Sequence, residues 1–337
     1  MPIICIAWTL EKCNPDNMKK IFIYIIVIIL GLLIIVIILG DFMSGEIKDT
    51  AKNPYAYELD EYKAVDSSLI KFKEIKRIGL SISEPKAIDI HNNLIAIGFK
   101  DHLQVIDTSG LEIINKSVKG PLTAVSFSPE GNIYLGCQNS IEIVSLEGES
   151  LARWEDFGEK TLITAIAFMD SIAIVADAGN RIVLRLDLNG QILDSFDGTD
   201  RLEGNYGFIL PSPYFDLEVD PDNQLWVVNS GLLKVENYTD DGSVRAFWGK
   251  PSFEIEGFTG CCNPAHIAIM EDGSFVTSEK GLSRIKVYKP SGELDCVVAA
   301  PDDFEEDNEP ADIAVDIHGK IYALDITLGK IRIFERN

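Results

Sequence analysis

A four-residue apolar core recurs six times along the chain, each time followed by a short turn, further strand-like runs and a glycine-bearing turn. The six cores are Ala87-Ile-Asp-Ile90, Ala124-Val-Ser-Phe127, Ala165-Ile-Ala-Phe168, Asp216-Leu-Glu-Val219, His266-Ile-Ala-Ile269 and Asp312-Ile-Ala-Val315. Their starts are 37, 41, 51, 50 and 46 residues apart. Four short strands per unit at that period specify the blades of a β-propeller, because one such unit cannot bury its faces without neighbours on both sides. The sixth unit stops after its third strand, "KIRIFERN". The fourth is expected from "LIKFKEIKRIGL" (69–80), ahead of the first core. Closing the ring this way removes the open sheet edges that an unclosed array exposes. The expected fold class is therefore all-β, a six-bladed propeller over 68–337 closed by an N-terminal strand and preceded by one transmembrane α-helix.

That helix is read from Ile21–Gly40, twenty residues without a charge, long enough at about 1.5 Å per residue to match a bilayer's ~30 Å hydrocarbon core. It exceeds a secretory h-region, and no small-residue cleavage site follows it. Lys19 and Lys20 precede it while Asp41 and Glu46 follow, so the positive-inside tendency leaves residues 1–20 as a short cytoplasmic tail. The expected arrangement is a single-pass signal-anchor, a linker over 41–67, and a propeller on the periplasmic or extracellular side. Met18 is an alternative start to Met1. With 30 Lys and Arg against 53 Asp and Glu, the net charge of −23 excludes nucleic acid as a partner surface.

Three stretches carry a family likeness. "IVADAGNRIVLRLDLNGQIL" (174–193), "NPAHIAIMEDGSFVTSEKGLSRIKVY" (263–288) and "PADIAVDIHGKIYALDITLGKIRIF" (310–334) resemble the NHL repeat, with its D-x-x-N-x-R element and D-x-x-G turn. The first two units lack the D-x-x-N element. The resemblance implies propellers that serve mostly as binding platforms, with a minority of metal-dependent lactonases and lyases. It supplies a fold more than a function.

The start of each first strand and the end of each second strand share one face of such a ring, here termed the entry face. The first-strand column reads Ala87, Ala124, Ala165, Asp216, His266, Asp312, and the second-strand column Gly98, Cys137, Asp177, Asn229, Glu279, Asp325. The charges gather in units four to six. Three long connections, Thr199–Pro211, Trp248–Asn263 and Pro301–Glu309, open onto the same face. Asp216, Asn229, Glu279, Asp312 and Asp325 are the candidate metal ligands, and oxygen donors in this number suit one divalent cation, Ca²⁺ or Mg²⁺. The competing reading of each aspartate is a clasp on backbone N–H groups of the neighbouring blade. His266, Asp177, Cys137, Trp248 and Phe258 are expected around the rim, with His266 a metal ligand, a general base or a hydrogen bonder in the channel. Since His91, His102 and His318 lie away from this column, a three-histidine zinc set is excluded.

Cys261 and Cys262 adjoin in a Gly/Pro-rich turn just before His266. A vicinal disulfide, free thiols and ligation of a soft metal all remain open for this pair. The expected role of the protein is binding: an anchored propeller presenting its entry face to a protein or small ligand. A divalent-metal-dependent hydrolase or lyase of the lactonase-propeller type is the alternative, and a redox accessory protein using Cys261-Cys262 a second one.

Overall fold

The computed structural model of the chain describes residues 15–43, 62–200, 205–305 and 309–337. The chain divides into two units, Met1–Tyr57 and Glu58–Asn337. In the first, the helix Pro15–Met43 extends beyond the expected span at both ends. Its window Lys19–Ile37 has a mean hydropathy of 3.2, long and apolar enough to cross a bilayer. Most of the expected tail and most of the linker lie outside the described residues.

The second unit is the six-bladed propeller. Its blades are four-stranded antiparallel sheets whose inner strands are Pro85–His91, Ala124–Phe127, Ile163–Met169, Leu217–Val219, His266–Ile269 and Asp312–Val315. Each inner strand packs beside the next, and the sixth beside the first, which closes the ring around a central channel. The outermost strand of blade six is Phe72–Gly79, paired antiparallel with Lys330–Arg336 from Phe72 opposite Arg336 to Gly79 opposite Lys330. The seam is reinforced by Arg332, which donates to Glu74 Oε2 from Nη2 at 2.7 Å and from Nε at 3.1 Å.

The apolar core is not central. It is divided into six clusters, one at each junction between successive blades. Alternation along the strands explains this: successive side chains point to opposite faces of a sheet, and each blade has a neighbour on both faces. The D-x-x-G turns follow from local chemistry. Asp187 Oδ1 accepts from the N–H groups of Asn189 and Gln191, and those bonds hold its carboxyl below its usual range. Gly190 closes that turn at φ 85°, where a Cβ would stand 2.4 Å from the Trp154 ring.

Candidate functional site in the central channel

Side-chain direction along the inner strands sets what reaches the channel. Positions one and three of each four-residue core turn toward the following blade: Ala87 joins the cluster between blades one and two, Ala165 and Ala167 that between three and four. Positions two and four turn toward the preceding blade, as Ile88 does toward blade six and Ile267 toward blade four. Because the period is two, a polar residue at position three shares the side of a polar residue at position one. Asp89 and Glu218 are such residues.

Three aspartates clasp neighbouring blades in the same manner. Asp312 Oδ1 accepts from Ile313 N–H at 2.9 Å, and its Oδ2 accepts from Ile88 N–H of blade one at 2.8 Å. Asp216 does the same with Leu217 and with Ile267 of blade five, both at 2.9 Å. Asp89 accepts from Ile90 and from Phe127 of blade two, both at 2.7 Å. Between blades three and four the Thr164 hydroxyl donates to the Phe215 carbonyl at 2.6 Å. The structural reading of these aspartates thus holds at three junctions, and it leaves each carboxylate oxygen a further lone pair.

His266 sits between two of these clasps. Its Nδ1 lies 3.3 Å from Asp312 Oδ1 and 3.5 Å from Asp216 Oδ2, while its ring meets Tyr214 edge-on at 5.8 Å. A polar chain therefore runs from blade four through five and six to one. Among the described residues, Asp216, His266 and Asp312 are the group whose ligand atoms all lie within 4.8 Å of one another. Together with Asp89 and Glu218 they line a cavity of about 450 Å³ bounded by all six inner strands and reaching His91, Pro129 and Glu271 at the far turns.

The electrostatics follow from crowding acids in a poorly solvated space. Burial pushes the Asp89 carboxyl up to about 7 and Asp312 up to about 6. Burial also drives Glu218 well above the usual carboxylate range, helped by the charges of Asp89 and Asp216. Burial opposes the charged form of His266, yet Asp312 and Asp216 outweigh it and raise the imidazole's proton affinity. Three carboxyl groups and an imidazole thus hold protons more tightly than they would in water. A cation placed among them would take over the protons' role.

The second-strand column has a different destination. Asp177 is buried, its Oδ1 accepting from Leu162 and Asn180 N–H at 3.0 and 3.1 Å. Asn229 Oδ1 accepts from Ile209 N–H at 2.9 Å, while its amide donates to Glu236 Oε2 at 3.0 Å and to the Gly207 carbonyl at 3.2 Å. Glu279 pairs with Arg284 at 2.7 Å and Lys286 at 2.6 Å, all three side chains fully buried. Burial pushes Lys286 down to about 8 against the pull of Glu279. Asp325 Oδ1 accepts from Leu328 N–H at 2.9 Å. The expected five-residue ligand set is therefore not one cluster. Asp216 and Asp312 meet at the channel with His266, whereas Asn229, Glu279 and Asp325 are each buried inside their own blade away from the cavity, bracing the turn or connection that follows or precedes it.

Three rim assignments also need correction. Cys137 lies in the apolar cluster between blades one and two, and burial pushes its thiol up to about 11. Trp248 and Phe258 lie in the cluster between blades four and five, 5.8 Å apart and against Tyr288. Their size suits the gap between two sheets, and neither touches the cavity. Cys261 and Cys262 carry free thiols with sulfurs 3.2 Å apart. Among the described residues, none of the three long entry-face connections lines the channel cavity. Residues 201–204 and 306–308 of those connections are outside the description. Asp89 and Glu218 were missed by reading one position per strand; the alternation itself marks them.

No known family's sequence model matches the chain, and no curated protein matches it. Solved structures do. A streptogramin B lyase is similar over 81% of this chain and 100% of its own, with TM-score 0.55 and 16% identity. A catalytically inactive histidine-to-alanine variant of virginiamycin B lyase from Staphylococcus aureus, with quinupristin, matches over 79% of this chain and 100% of its own (TM-score 0.53, 15% identity). A protein of unknown function from Bacteroides caccae matches 66% of this chain and 83% of its own (TM-score 0.52, 13% identity). At these identities the likeness establishes the propeller fold.

Proposed function

We propose that this protein is a membrane-anchored binding propeller whose working surface is the central channel rather than the entry-face loops. In this reading Ile21–Gly40 is a single-pass anchor with the N-terminus in the cytoplasm and the propeller exported. The observation that carries it is the convergence of Asp89, Asp216, Glu218, His266 and Asp312 on one cavity of about 450 Å³, where like charges raise each other's demand for a positive ligand. The ligand is small and carries positive charge, either its own or that of a divalent cation. Ca²⁺ or Mg²⁺ fits the donors present: Asp216 and Asp312 would supply carboxylate oxygens, with His266 beside them.

The test is metal content and cation binding of the full chain in detergent, purified without chelator, against an Asp216→Asn/Asp312→Asn variant. A stoichiometric divalent ion, or calorimetric binding of Ca²⁺, Mg²⁺ or a small amine, lost in the variant supports the reading. Equal behaviour of both proteins overturns it.

A second reading is lyase chemistry of the kind carried out by the structural neighbours. It is favoured by His266, whose Nδ1 is engaged by two carboxylates that strengthen it as a base while it lines the cavity. The Staphylococcus aureus neighbour is catalytically inactive with a histidine replaced by alanine. In this reading His266 takes a proton from the substrate and returns it to the leaving group. Linearisation of quinupristin, followed by mass and abolished by His266→Ala, is its direct test. An intact antibiotic after prolonged incubation with the wild type removes that substrate from consideration.

A further inference from the structure

The segment that leads into blade five is fixed on both sides of its two cysteines. On the N-terminal side, Lys286 Nζ donates to the carbonyls of Ile255 and Gly257, both at 2.8 Å, and Phe258 is fully buried. On the C-terminal side, the Asn263 amide donates to the carbonyls of Thr259 and Lys280 at 2.5 and 2.9 Å, and its Oδ1 accepts from Lys280 N–H at 2.8 Å. Between these ties Gly260 turns the chain at φ 79°. Adjacent side chains of an extended chain point to opposite sides. Here the turn brings both to one side, with the sulfurs 3.2 Å apart. One thiol, Cys261, is exposed, and the other, Cys262, is buried.

We propose that Cys261 and Cys262 are a reversible two-electron modification site that is oxidised by disulfide-bearing compounds or proteins. The exposed Cys261, as thiolate, attacks one sulfur of an incoming disulfide RSSR; a mixed disulfide forms and one RS⁻ leaves. Cys262 then loses its proton and attacks Cys261 Sγ, expelling the second RS⁻. The balance is two protein thiols and RSSR giving one vicinal disulfide and two RSH. Burial raises the Cys262 thiol, and its sulfur is covered while that of Cys261 is exposed. The asymmetry assigns the order of events: the accessible sulfur meets the oxidant and the covered one resolves it. The remaining described thiols are placed differently. Cys137 and Cys296 are both buried in apolar junctions and pushed up to about 11 and about 12 by burial.

The test uses the full chain in detergent with chelator present, equilibrated in buffers of increasing oxidised-to-reduced glutathione ratio, quenched, unfolded, alkylated and mapped by peptide mass. The expected result is the simultaneous loss of both alkylation positions on the peptide holding Cys261 and Cys262, with that peptide two hydrogens lighter and restored by dithiothreitol. Cys262→Ser should instead stop at a stable glutathione adduct on Cys261. Cys261→Ser should leave Cys262 alkylatable at every ratio. Two alkylated cysteines throughout, or a persistent glutathione adduct on the wild type, overturns the proposal. Since Cys261 is exposed and serine is close to it in size, its serine variant keeps the fold and the test stands.

Discussion

Asp312 and Asp325 stand one strand apart in blade six and meet different fates. Asp312 divides its oxygens between its own strand and blade one, touches His266 and borders the channel cavity. Asp325 is buried in the sheet and holds the turn at Leu328. The same contrast separates Asp216 from Asn229 and His266 from Glu279. The inner column joins blades to one another and faces a space that a ligand can enter. The second column joins each blade to its own connections and faces only protein. Polar side chains at the rim of a propeller are thus of two kinds, and what separates them is whether they border a space that a ligand can enter.

This difference can be broken at several points. The largest effect is expected in the second column. Glu279→Ala leaves Arg284 and Lys286 as buried cations without their counter-ion, so unfolding stability should fall by about 3–5 kcal/mol, read as the urea midpoint at constant slope. A loss below about 1 kcal/mol would mean that the network is dispensable. Asn229→Ala strips partners from Ile209 N–H and Glu236 and should cost about 1–3 kcal/mol by the same measurement. In the inner column, Asp216→Asn keeps an amide oxygen for one of the two backbone N–H groups that Asp216 serves and relieves like-charge repulsion. It should cost about 1–2 kcal/mol while abolishing cation binding in the channel. A stability loss as large as that of Glu279→Ala would erase the proposed distinction.

Titration separates the columns as well. A carboxyl whose folded-state proton affinity exceeds its unfolded one stabilises the fold while protonated. For Asp312 and Asp89 that stability is complete below their ordinary value of 3.8 and is lost as pH rises through about 6 and about 7 respectively. His266, also raised, contributes in the same direction above its ordinary 6.5. The melting temperature should therefore be higher at pH 5 than at pH 8, and Asp89→Asn/Asp312→Asn should flatten the difference. A melting temperature that climbs between pH 5 and 8 would contradict the cluster's electrostatics. The smallest effect belongs to the surface: Lys250→Ala removes an exposed pair with Glu256 and should change stability by no more than about 0.5 kcal/mol.

Much of the architecture was legible in the chain. The six repeated cores mark the inner strands to within two residues, and the run before the first core is the closing strand, because both rest on period and patterning that local sequence carries. The site was only half legible. Asp216, His266 and Asp312 stand at the position that enters the channel. Asn229 and Glu279 share their chemistry but turn into the blade toward the next strand of their own hairpin, where Glu236 and Lys286, each seven residues on, become neighbours only through the strand pairing. Trp248 and Phe258 were misplaced for a related reason: a large ring fits a rim and an inter-sheet gap equally well until the neighbouring sheet is known. Asp89 was overlooked although its position, two residues beyond Ala87, points the same way.

The seam in blade six carries a consequence for how the ring is assembled during synthesis. Its Arg332–Glu74 ion pair joins residues 258 apart, so the strand Phe72–Gly79 emerges early and has no partner until the last strand has been made. Five complete blades can stack in order as they appear, each using its predecessor as a template. Throughout that interval the first strand is a waiting edge, and its sequence, with Lys73, Glu74, Lys76 and Arg77 on either side of Ile75, is charged enough to discourage pairing with anything else. The last event in folding is then the meeting of the two most distant strands, and a nascent chain halted before Lys330 would leave blade six with two strands and Phe72–Gly79 unpaired.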